Sequence, residues 1–204
     1  MSDNERREAM IRLLRRRGID DEMVIGAMRS VPREAFVPQA LHDAAYDDCA
    51  LPIGHDQTIS QPLMVAQMCE LLAVGPGDRV LDIGLGSGYA AAVLAAMGCE
   101  VVGIEVVPEL AERARAVLAA LRFPVEVRIG DGRFGAPDRS PFDAISVAAA
   151  APQVPEALVE QLADGGRLVM PVGEAWGQRL VRLTRVGEAL RREELTPCVF
   201  VPLV

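Results

Sequence analysis

Short apolar runs alternate with helical stretches from residue 78 onwards, and this alternation restricts the fold more than any other feature of the sequence. Five runs are predicted to be strands: Arg79–Ile83, Glu100–Glu105, Val125–Ile129, Phe142–Val147 and Arg167–Val172. The intervening helices are predicted over Gly88–Met97, Pro108–Leu121 and Pro155–Leu162. Strands that are apolar along most of their length are typical of a parallel sheet with both faces covered. We therefore predict an α/β fold with a doubly wound, mostly parallel sheet.

The two ends of the chain depart from this alternation. Helices are predicted over Asn4–Arg17 and Asp21–Val31, with Asp20 as the cap of the second helix. Near the other end, Gln178–Val186 and Leu195–Val204 are β-rich, so we predict an antiparallel pair at the sheet edge. There is no internal repeat and no low-complexity linker. We predict one domain over residues 1–204, in which residues 1–75 form an extension to the sheet of residues 76–204.

Charge and composition argue against several classes of partner. The formal net charge of −8 argues against nucleic acid as the main partner, and aromatic residues make up only 4% of the chain, which leaves few stacking platforms for single strands. All 21 basic residues are arginines, so lysine chemistry is excluded. Four scattered cysteines and two histidines predict no metal site. Apolar stretches are too short to span a bilayer and no leader pattern opens the chain, so we expect a cytoplasmic protein without a membrane partner.

The glycine-rich segment Val80–Tyr89 follows a predicted strand and opens a predicted helix. Its spacing differs from the dinucleotide pattern GxGxxG, because glycines stand at Gly84, Gly86 and Gly88. Asp82 would repel a pyrophosphate but would suit an ammonium group. Glu105, at the end of the next strand, can accept hydrogen bonds from two ribose hydroxyls. An adenosine that carries an amino-acid tail satisfies both acids, so we predict S-adenosylmethionine as the cofactor and a Rossmann-like methyltransferase fold.

Two further segments bear on the reaction. Asp131 and Gly132 follow the third strand, where they could read the edge of an adenine, although an ordinary Asp-Gly turn would have the same residues. The fourth strand leads into Ile145–Pro152, which lacks the polar Asn/Asp-Pro-Pro-aromatic clamp of many nitrogen methyltransferases. Both histidines precede the glycine loop, so no base for a phenol is apparent. An acceptor that is already an anion, such as a carboxylate, would need no base.

The segment Tyr46–Pro62 combines proline, glycine and polar residues ahead of an apolar helix predicted from Pro62 to about Ala73. Thr58–Gln61 can be interpreted as a helix-entry turn with Ser60 as a local cap. It can equally be interpreted as a catalytic loop, and the residues alone leave both interpretations open.

This segment, with its Leu51-Pro-Ile-Gly54 and Gln57-Thr-Ile-Ser-Gln-Pro62, closely resembles the signature of protein-L-isoaspartate O-methyltransferases of the bacterial type. Further matching segments extend the resemblance over nearly the whole chain: Val80–Tyr89, Gly130–Gly132, Phe142–Ile145, Gln161–Gly166, Pro171–Gly173 and Phe200–Leu203. The glycine loop is shared by many methyltransferases, whereas the Thr-Ile-Ser segment is specific to this family.

The resemblance implies roles for individual residues. Ser60 is expected to contact the acceptor carboxylate as the catalytic hydroxyl. The implied cofactor-binding residues are Thr58, Ile59, Ser60, Asp82, Gly84, Gly86, Gly88, Glu105, Asp131 and Gly132. The implied substrate-binding residues are Ile59, Ser60, Val201, Pro202 and Leu203. Two positions depart from the family pattern: Leu85 replaces the usual threonine, and Asp82 replaces the commonest glutamate.

The implied activity is methylation of the free α-carboxylate of L-isoaspartyl residues in aged proteins and peptides, which starts repair through a succinimide. The expected partners are isoaspartyl proteins, and the enzyme is expected to be a monomer. Two alternatives remain open. One is methylation of aspartyl residues in a modified precursor peptide. The other is a non-catalytic S-adenosylmethionine-binding protein, an idea motivated by the change at Leu85.

Overall fold

The computed structural model describes residues 2–174 and 177–204 of the chain. Six α-helices are described, α1 to α6: Asp3–Arg16, Glu22–Ser30, Pro62–Leu72, Tyr89–Ala96, Pro108–Ala120 and Glu156–Glu160. Nine strands are described, β1 to β9: Leu51–Gly54, Gln57–Ile59, Arg79–Ile83, Glu100–Glu105, Val125–Ile129, Phe142–Val147, Leu162–Val172, Arg179–Val186 and Ala189–Pro197.

Strands β3 to β9 form one seven-stranded sheet in the order β5-β4-β3-β6-β7-β8-β9. Pairing is parallel from β5 to β7, and β8 and β9 are added in antiparallel orientation at the edge. The predicted α/β class and the antiparallel edge are therefore confirmed. The chain leaves β3 towards β4 on one side and later returns to β6 on the other side. A crevice opens at the carboxyl ends of strands at such a reversal.

The period of two along the strands divides the core between the faces of the sheet. Val80 packs into one apolar cluster with residues of α1 to α5, whereas Leu81 and Ile83 pack into the other cluster with α6. Met10 and Leu14 of α1 belong to the same cluster as Val80. The N-terminal helices therefore cover one face of the sheet.

The start of α2 corrects one sequence prediction. Asp21, and not Asp20, is the N-cap, because its carboxylate accepts the N–H groups of Met23 at 2.8 Å and Val24 at 3.2 Å. The N–H of Asp20 instead donates to the carboxylate of Glu70 on α3 at 3.0 Å.

The end of the sheet corrects two further predictions. Strand β9 begins at Ala189, directly after a tight turn at Gly187, and ends at Pro197, whereas the sequence predicted a strand over Leu195–Val204. After Pro197 the backbone forms one isolated β-bridge, between Pro202 and Ala150. Strand β7 begins at Leu162, immediately after α6, and is therefore longer than predicted.

Candidate active site

The glycine loop adopts a backbone that side chains with a Cβ rarely enter. Gly84, Gly86 and Gly88 have φ values of +75°, +53° and +87°. The N–H groups of Gly84 and Leu85 donate to the carbonyl of Ile104 at 3.0 and 3.1 Å, which ties the loop to β4. Gly88 is the N-cap of α4. A Cβ at Gly88 would lie 3.1 Å from the side chain of Leu118, so glycine also allows α4 to begin close against α5.

A cleft that is open to solvent lies above this loop at the carboxyl ends of β3, β4 and β6. The structure brings ten of the thirteen predicted site residues to its lining: Thr58, Ile59, Ser60, Gly84, Gly86, Glu105, Gly132, Val201, Pro202 and Leu203.

Glu105 fixes the geometry of the loop with its carboxylate. One oxygen accepts the N–H of Gly86 at 2.7 Å, and the other accepts the N–H of Val107 at 3.0 Å. The side chain is buried, and these bonds hold it at the wall of the cleft. Because each carboxylate oxygen has more than one acceptor site, the group can still accept hydrogen bonds from a bound ligand.

Three predicted cofactor residues lie outside the lining of the cleft: Asp82, Gly88 and Asp131. Asp82 is 1% exposed within β3, and its Oδ1 has no hydrogen-bond partner among the described residues. Burial raises the pKa of Asp82 to about 7; the hydroxyl of Ser146 acts in the opposite direction and the charge of Glu105 adds to the rise.

Asp131 is engaged by its own neighbour. Its carboxylate accepts from the guanidinium of Arg133 at 2.6 Å and from the N–H of Arg133 at 2.9 Å. These contacts, with the guanidinium bond as the largest cause, lower the pKa of Asp131. A contact with a cofactor would require this carboxylate to share its bonds with Arg133.

The Thr58–Ser60 segment is the end of an antiparallel hairpin, which the sequence did not predict. Leu51 pairs with Ile59, and the turn places His55 and Asp56 at φ values of +54° and +56°. The hairpin carries Ile59 and Ser60 over the cleft, where both line its wall.

Helix α3 shows that Ser60 is not its cap. The N-cap position is Gln61, which makes no side-chain cap bond. Instead the carboxylate of Asp48 accepts the N–H of Leu63 at 3.0 Å and satisfies a free donor of the first turn. The helix-cap interpretation of Ser60 is therefore wrong, and its backbone carbonyl accepts a bond from Arg33 at 2.7 Å.

A second cleft adjoins the first. The two share four lining residues: Thr58, Ser60, Ala148 and Val201. Among the residues that the structure describes, the only charged side chain that lines the second cleft is Arg17. Ser60 thus lies at the junction of the two clefts, where a group bound in one could meet a group bound in the other.

The segment Phe200–Leu203 contributes to both clefts: Val201, Pro202 and Leu203 line the first, and Phe200 and Val201 line the second. The N–H of Ala150 donates to the carbonyl of Val201 at 2.8 Å, and the N–H of Leu203 donates to the carbonyl of Ala150 at 2.8 Å. The buried amide of Gln178 holds the main chain of Phe200 from both sides, because it accepts its N–H at 2.6 Å and donates to its carbonyl at 3.1 Å. Sequence reasoning missed Gln178, since backbone partners have no pattern in the sequence.

Leu85, which departs from the family pattern, is buried in the protein interior. Its side chain is 4% exposed. A Cβ built at Gly103 on β4 would lie 2.6 Å from Leu85 Cδ1, so the missing side chain of Gly103 provides the space that Leu85 occupies.

The described residues contain neither a metal-binding cluster nor a membrane-spanning helix. No cluster of three or more histidine, cysteine or acidic side chains could hold a metal ion. None of the helices in residues 2–174 and 177–204 combines the length and the apolar character needed to cross a bilayer.

The chain is similar to known protein-L-isoaspartate O-methyltransferases over nearly its whole length. The sequence model described as protein-L-isoaspartate(D-aspartate) O-methyltransferase matches residues 5–204. A protein-L-isoaspartate O-methyltransferase of Methylorubrum extorquens (strain PA1) is 58% identical over 189 residues, which cover 92% of this chain and 83% of that protein. A protein-L-isoaspartate O-methyltransferase of Roseiflexus sp. (strain RS-1) is 56% identical over 202 residues, which cover 98% of this chain and 92% of that protein.

Solved structures of protein-L-isoaspartate O-methyltransferases have the same fold as this chain. A structure described as a protein-L-isoaspartate O-methyltransferase of Plasmodium falciparum, in complex with S-adenosyl-L-homocysteine, has a TM-score of 0.83 and 28% identity, and the match covers 96% of this chain and 97% of that one. Another protein-L-isoaspartate O-methyltransferase has a TM-score of 0.87 and 29% identity, and this chain spans 65% of its length.

Proposed function

Since this chain belongs to the protein-L-isoaspartate(D-aspartate) O-methyltransferase family, we propose that the two clefts that meet at Ser60 are its active site. The enzyme methylates the free α-carboxylate of L-isoaspartyl residues in aged proteins and peptides, and it uses S-adenosylmethionine as the methyl donor. The methyl ester then closes to a succinimide, whose hydrolysis partly restores aspartate.

The first cleft fits the cofactor. Gly84 and Gly86 let a ligand lie against the main chain, and the carboxylate of Glu105 in the wall of the cleft can still accept hydrogen bonds from ribose hydroxyls. Gly132 lines the same cleft and is the candidate for the adenine edge. When bound, the cofactor supplies an electrophilic methyl group on a positively charged sulfur.

The three predicted cofactor residues that do not line the first cleft, Asp82, Gly88 and Asp131, have other roles in this proposal. Gly88 shapes the start of α4, and Asp82 adds a titratable group beneath the loop. Asp131 contacts the cofactor only if its carboxylate shares its hydrogen bonds between the cofactor and Arg133.

The acceptor enters through the second cleft. Its carboxylate is ionised at neutral pH, so the site needs no general base. The Ser60 hydroxyl donates to one oxygen of the carboxylate and leaves the other oxygen aimed at the first cleft. Val201, Pro202 and Leu203 offer an anchored backbone along which an extended peptide can lie.

Charges of opposite sign are neutralised as the methyl group is transferred, so exclusion of water favours the reaction. Ile59, which is buried, and Thr58 cover the place where the clefts meet. Most of the rate enhancement is then positioning of two reactants that already carry the required charges.

One observation carries this proposal: Ser60 lines both clefts. We expect Ser60→Ala to lower kcat by about 10²-fold, in line with the removal of one preorganised donor. The matched control is Ser30→Ala, which removes a hydroxyl that donates only to the carbonyl of Ala27 at the end of α2. The control should keep the wild-type rate.

The assay uses labelled S-adenosylmethionine and a matched pair of peptides that differ only in an isoaspartyl or an aspartyl link. Labelling of the isoaspartyl peptide alone is expected. Equal labelling of both peptides would favour the precursor-peptide alternative, and tight cofactor binding without methyl release would favour a non-catalytic protein. Full rate in Ser60→Ala would remove Ser60 from the mechanism.

We propose further that the enzyme acts as a monomer in the cytoplasm. All four cysteines are free thiols, and Cys69 and Cys99 are buried, which suits a reducing compartment. The mass measured by light scattering after gel filtration tests the oligomeric state, and a value near twice 21.9 kDa would contradict it.

A further inference from the structure

Arg33 is the largest fully buried side chain among the described residues, with 0% exposure. It lies at the start of a 3-10 helix, Arg33–Phe36. A buried charge is costly unless it is paired with an opposite charge and hydrogen-bonded. The arrangement around this guanidinium therefore requires an explanation.

The bonds of Arg33 go to backbone carbonyls. Nε donates to the carbonyl of Ala45 at 2.7 Å, and Nη2 donates to the carbonyl of Ser60 at 2.7 Å. The guanidinium carbon lies 4.7 Å from the centre of the Tyr89 ring. Nη1 is buried and has no hydrogen-bond partner among the described residues.

Arg33 differs from the other arginines of the described residues because it alone is fully buried; Arg167 and Arg185, which also bond only to backbone carbonyls, are partly exposed. Arg7, Arg128 and Arg182 each form an ion pair with a carboxylate, at distances of 3.3, 2.7 and 2.7 Å. In the described part of the chain, Arg33 has no carboxylate within ion-pair distance. Its charge therefore has no direct carboxylate partner beside the junction of the two clefts, where an anionic acceptor is expected, although the Tyr89 ring and the more distant charge of Asp48 favour it.

The contacts of Arg33 join the two halves of the site. Ser60 lies at the junction of the clefts, and Tyr89 lines the first cleft and begins the helix that follows the glycine loop. Asp48 holds the chain on the other side of Ser60 through the N–H of Leu63. The backbone on both sides of the Ser60 side chain is therefore held by hydrogen bonds, and these bonds fix the position of its Cα atom.

We propose that Arg33 is a positioning residue for methyl transfer, which holds the Ser60 carbonyl against the glycine-loop helix and thereby aims the Ser60 hydroxyl at the acceptor. This inference rests on the role proposed above for Ser60. Arg33 acts through Ser60, so its contribution to kcat depends on the presence of the hydroxyl.

A double-mutant cycle tests this dependence. Arg33→Lys keeps the charge but loses the fork that reaches two carbonyls, and it should lower kcat for an isoaspartyl peptide about tenfold, the factor that corresponds to one lost hydrogen bond. In the Ser60→Ala background the same change should lower kcat less than about twofold, because residues that act as a unit are not additive. Affinity for S-adenosylhomocysteine, measured by calorimetry, should stay within about twofold.

The matched control is Arg7→Lys. Arg7 also lies over an aromatic ring, 5.5 Å from the centre of Tyr46, and bonds to the Tyr46 hydroxyl at 2.8 Å, but it does not contact Ser60. This variant should lose thermal stability and keep kcat. Arg33→Met, which fills a similar volume without a charge, is the second test variant and should lower kcat at least as much as Arg33→Lys.

The outcomes are distinguishable. If Ser60→Ala alone keeps the wild-type kcat, the proposed role of Ser60 fails and the inference falls with it. If Ser60→Ala lowers kcat and Arg33→Lys lowers it by the same factor in both backgrounds, only the inference is overturned. If neither Arg33 variant folds, Arg33 is a structural residue of the core and the inference is also overturned.

Discussion

The buried carboxyl group of Asp82 makes the stability of this enzyme depend on pH in an unusual direction. The side chain lies within β3, and burial is the main cause that raises its pKa from 3.8 to about 7. An ordinary surface aspartate in an ion pair has a lowered pKa and stabilises the folded chain at neutral pH. Asp82 should do the opposite, and replacement with the uncharged Asp82→Asn isolates its effect.

The size and sign follow from the two protonation states. Below about pH 4, the group is protonated in both the folded and the unfolded chain, and its titration does not affect stability. Between about pH 4 and pH 7 the unfolded chain releases the proton and the folded chain retains it, so the free energy of unfolding falls as pH rises. A difference of about three pKa units, at about 1.4 kcal/mol each, gives a loss of about 4 kcal/mol by pH 7 to 8.

Urea unfolding of the wild type and of Asp82→Asn at several pH values between 4 and 8 measures this loss. The difference in unfolding free energy, variant minus wild type, should increase by about 4 kcal/mol across the range. Asp131→Asn is the control, because Arg133 lowers the pKa of Asp131 below its ordinary 3.8, so its titration changes stability only below about pH 4 and its difference from the wild type should stay nearly constant between pH 4 and 8. A difference for Asp82→Asn that stays constant with pH would refute the reasoning.

Three further predictions concern packing and the substrate cleft. Gly103→Ala should destabilise the fold by about 1–3 kcal/mol through contact with Leu85, and Leu85→Ala in the same chain should recover most of this loss in thermal unfolding. Gln178→Ala should raise KM for an isoaspartyl peptide about tenfold with unchanged S-adenosylhomocysteine affinity, because two bonds that hold Phe200 are lost; an unchanged KM would contradict the anchoring role. Arg17→Glu should raise KM severalfold for peptides with an acidic residue beside the isoaspartate and less for neutral ones, and the difference should shrink in high salt.

The central sheet could be predicted almost residue by residue. Strands β3 to β6 have the predicted bounds. Strands β3, β4 and β6 are mostly apolar runs because both of their faces are covered, whereas the edge strand β5 is marked by alternation of apolar and charged residues. Strand β9 was misplaced for the opposite reason. Its residues Ala189–Glu194 are rich in arginine and glutamate and mostly exposed, as an edge strand tolerates, so no apolar alternation marks them.

The hairpin of β1 and β2 was missed because its turn lacks the usual signal. Two residues with positive φ normally predict Asn-Gly or Gly-Gly, but here they are His55 and Asp56. The motif residues of the site are contiguous in sequence, and for that reason the resemblance identified them. Arg33, Asp48 and Gln178 act on backbone groups 12 to 27 residues away, and such partners become visible only in three dimensions.

The shared core of α1 and β3 limits how this enzyme can be divided. Met10, Ile11 and Leu14 lie against the same face of the sheet as Val80, so a fragment that began near residue 76 would expose to water the part of that face that α1 to α3 cover. Such a truncated protein would keep the glycine loop in its sequence but would be prone to aggregate. A minimal cofactor-binding fragment therefore cannot be excised from this chain, and any engineered version must retain the amino-terminal helices.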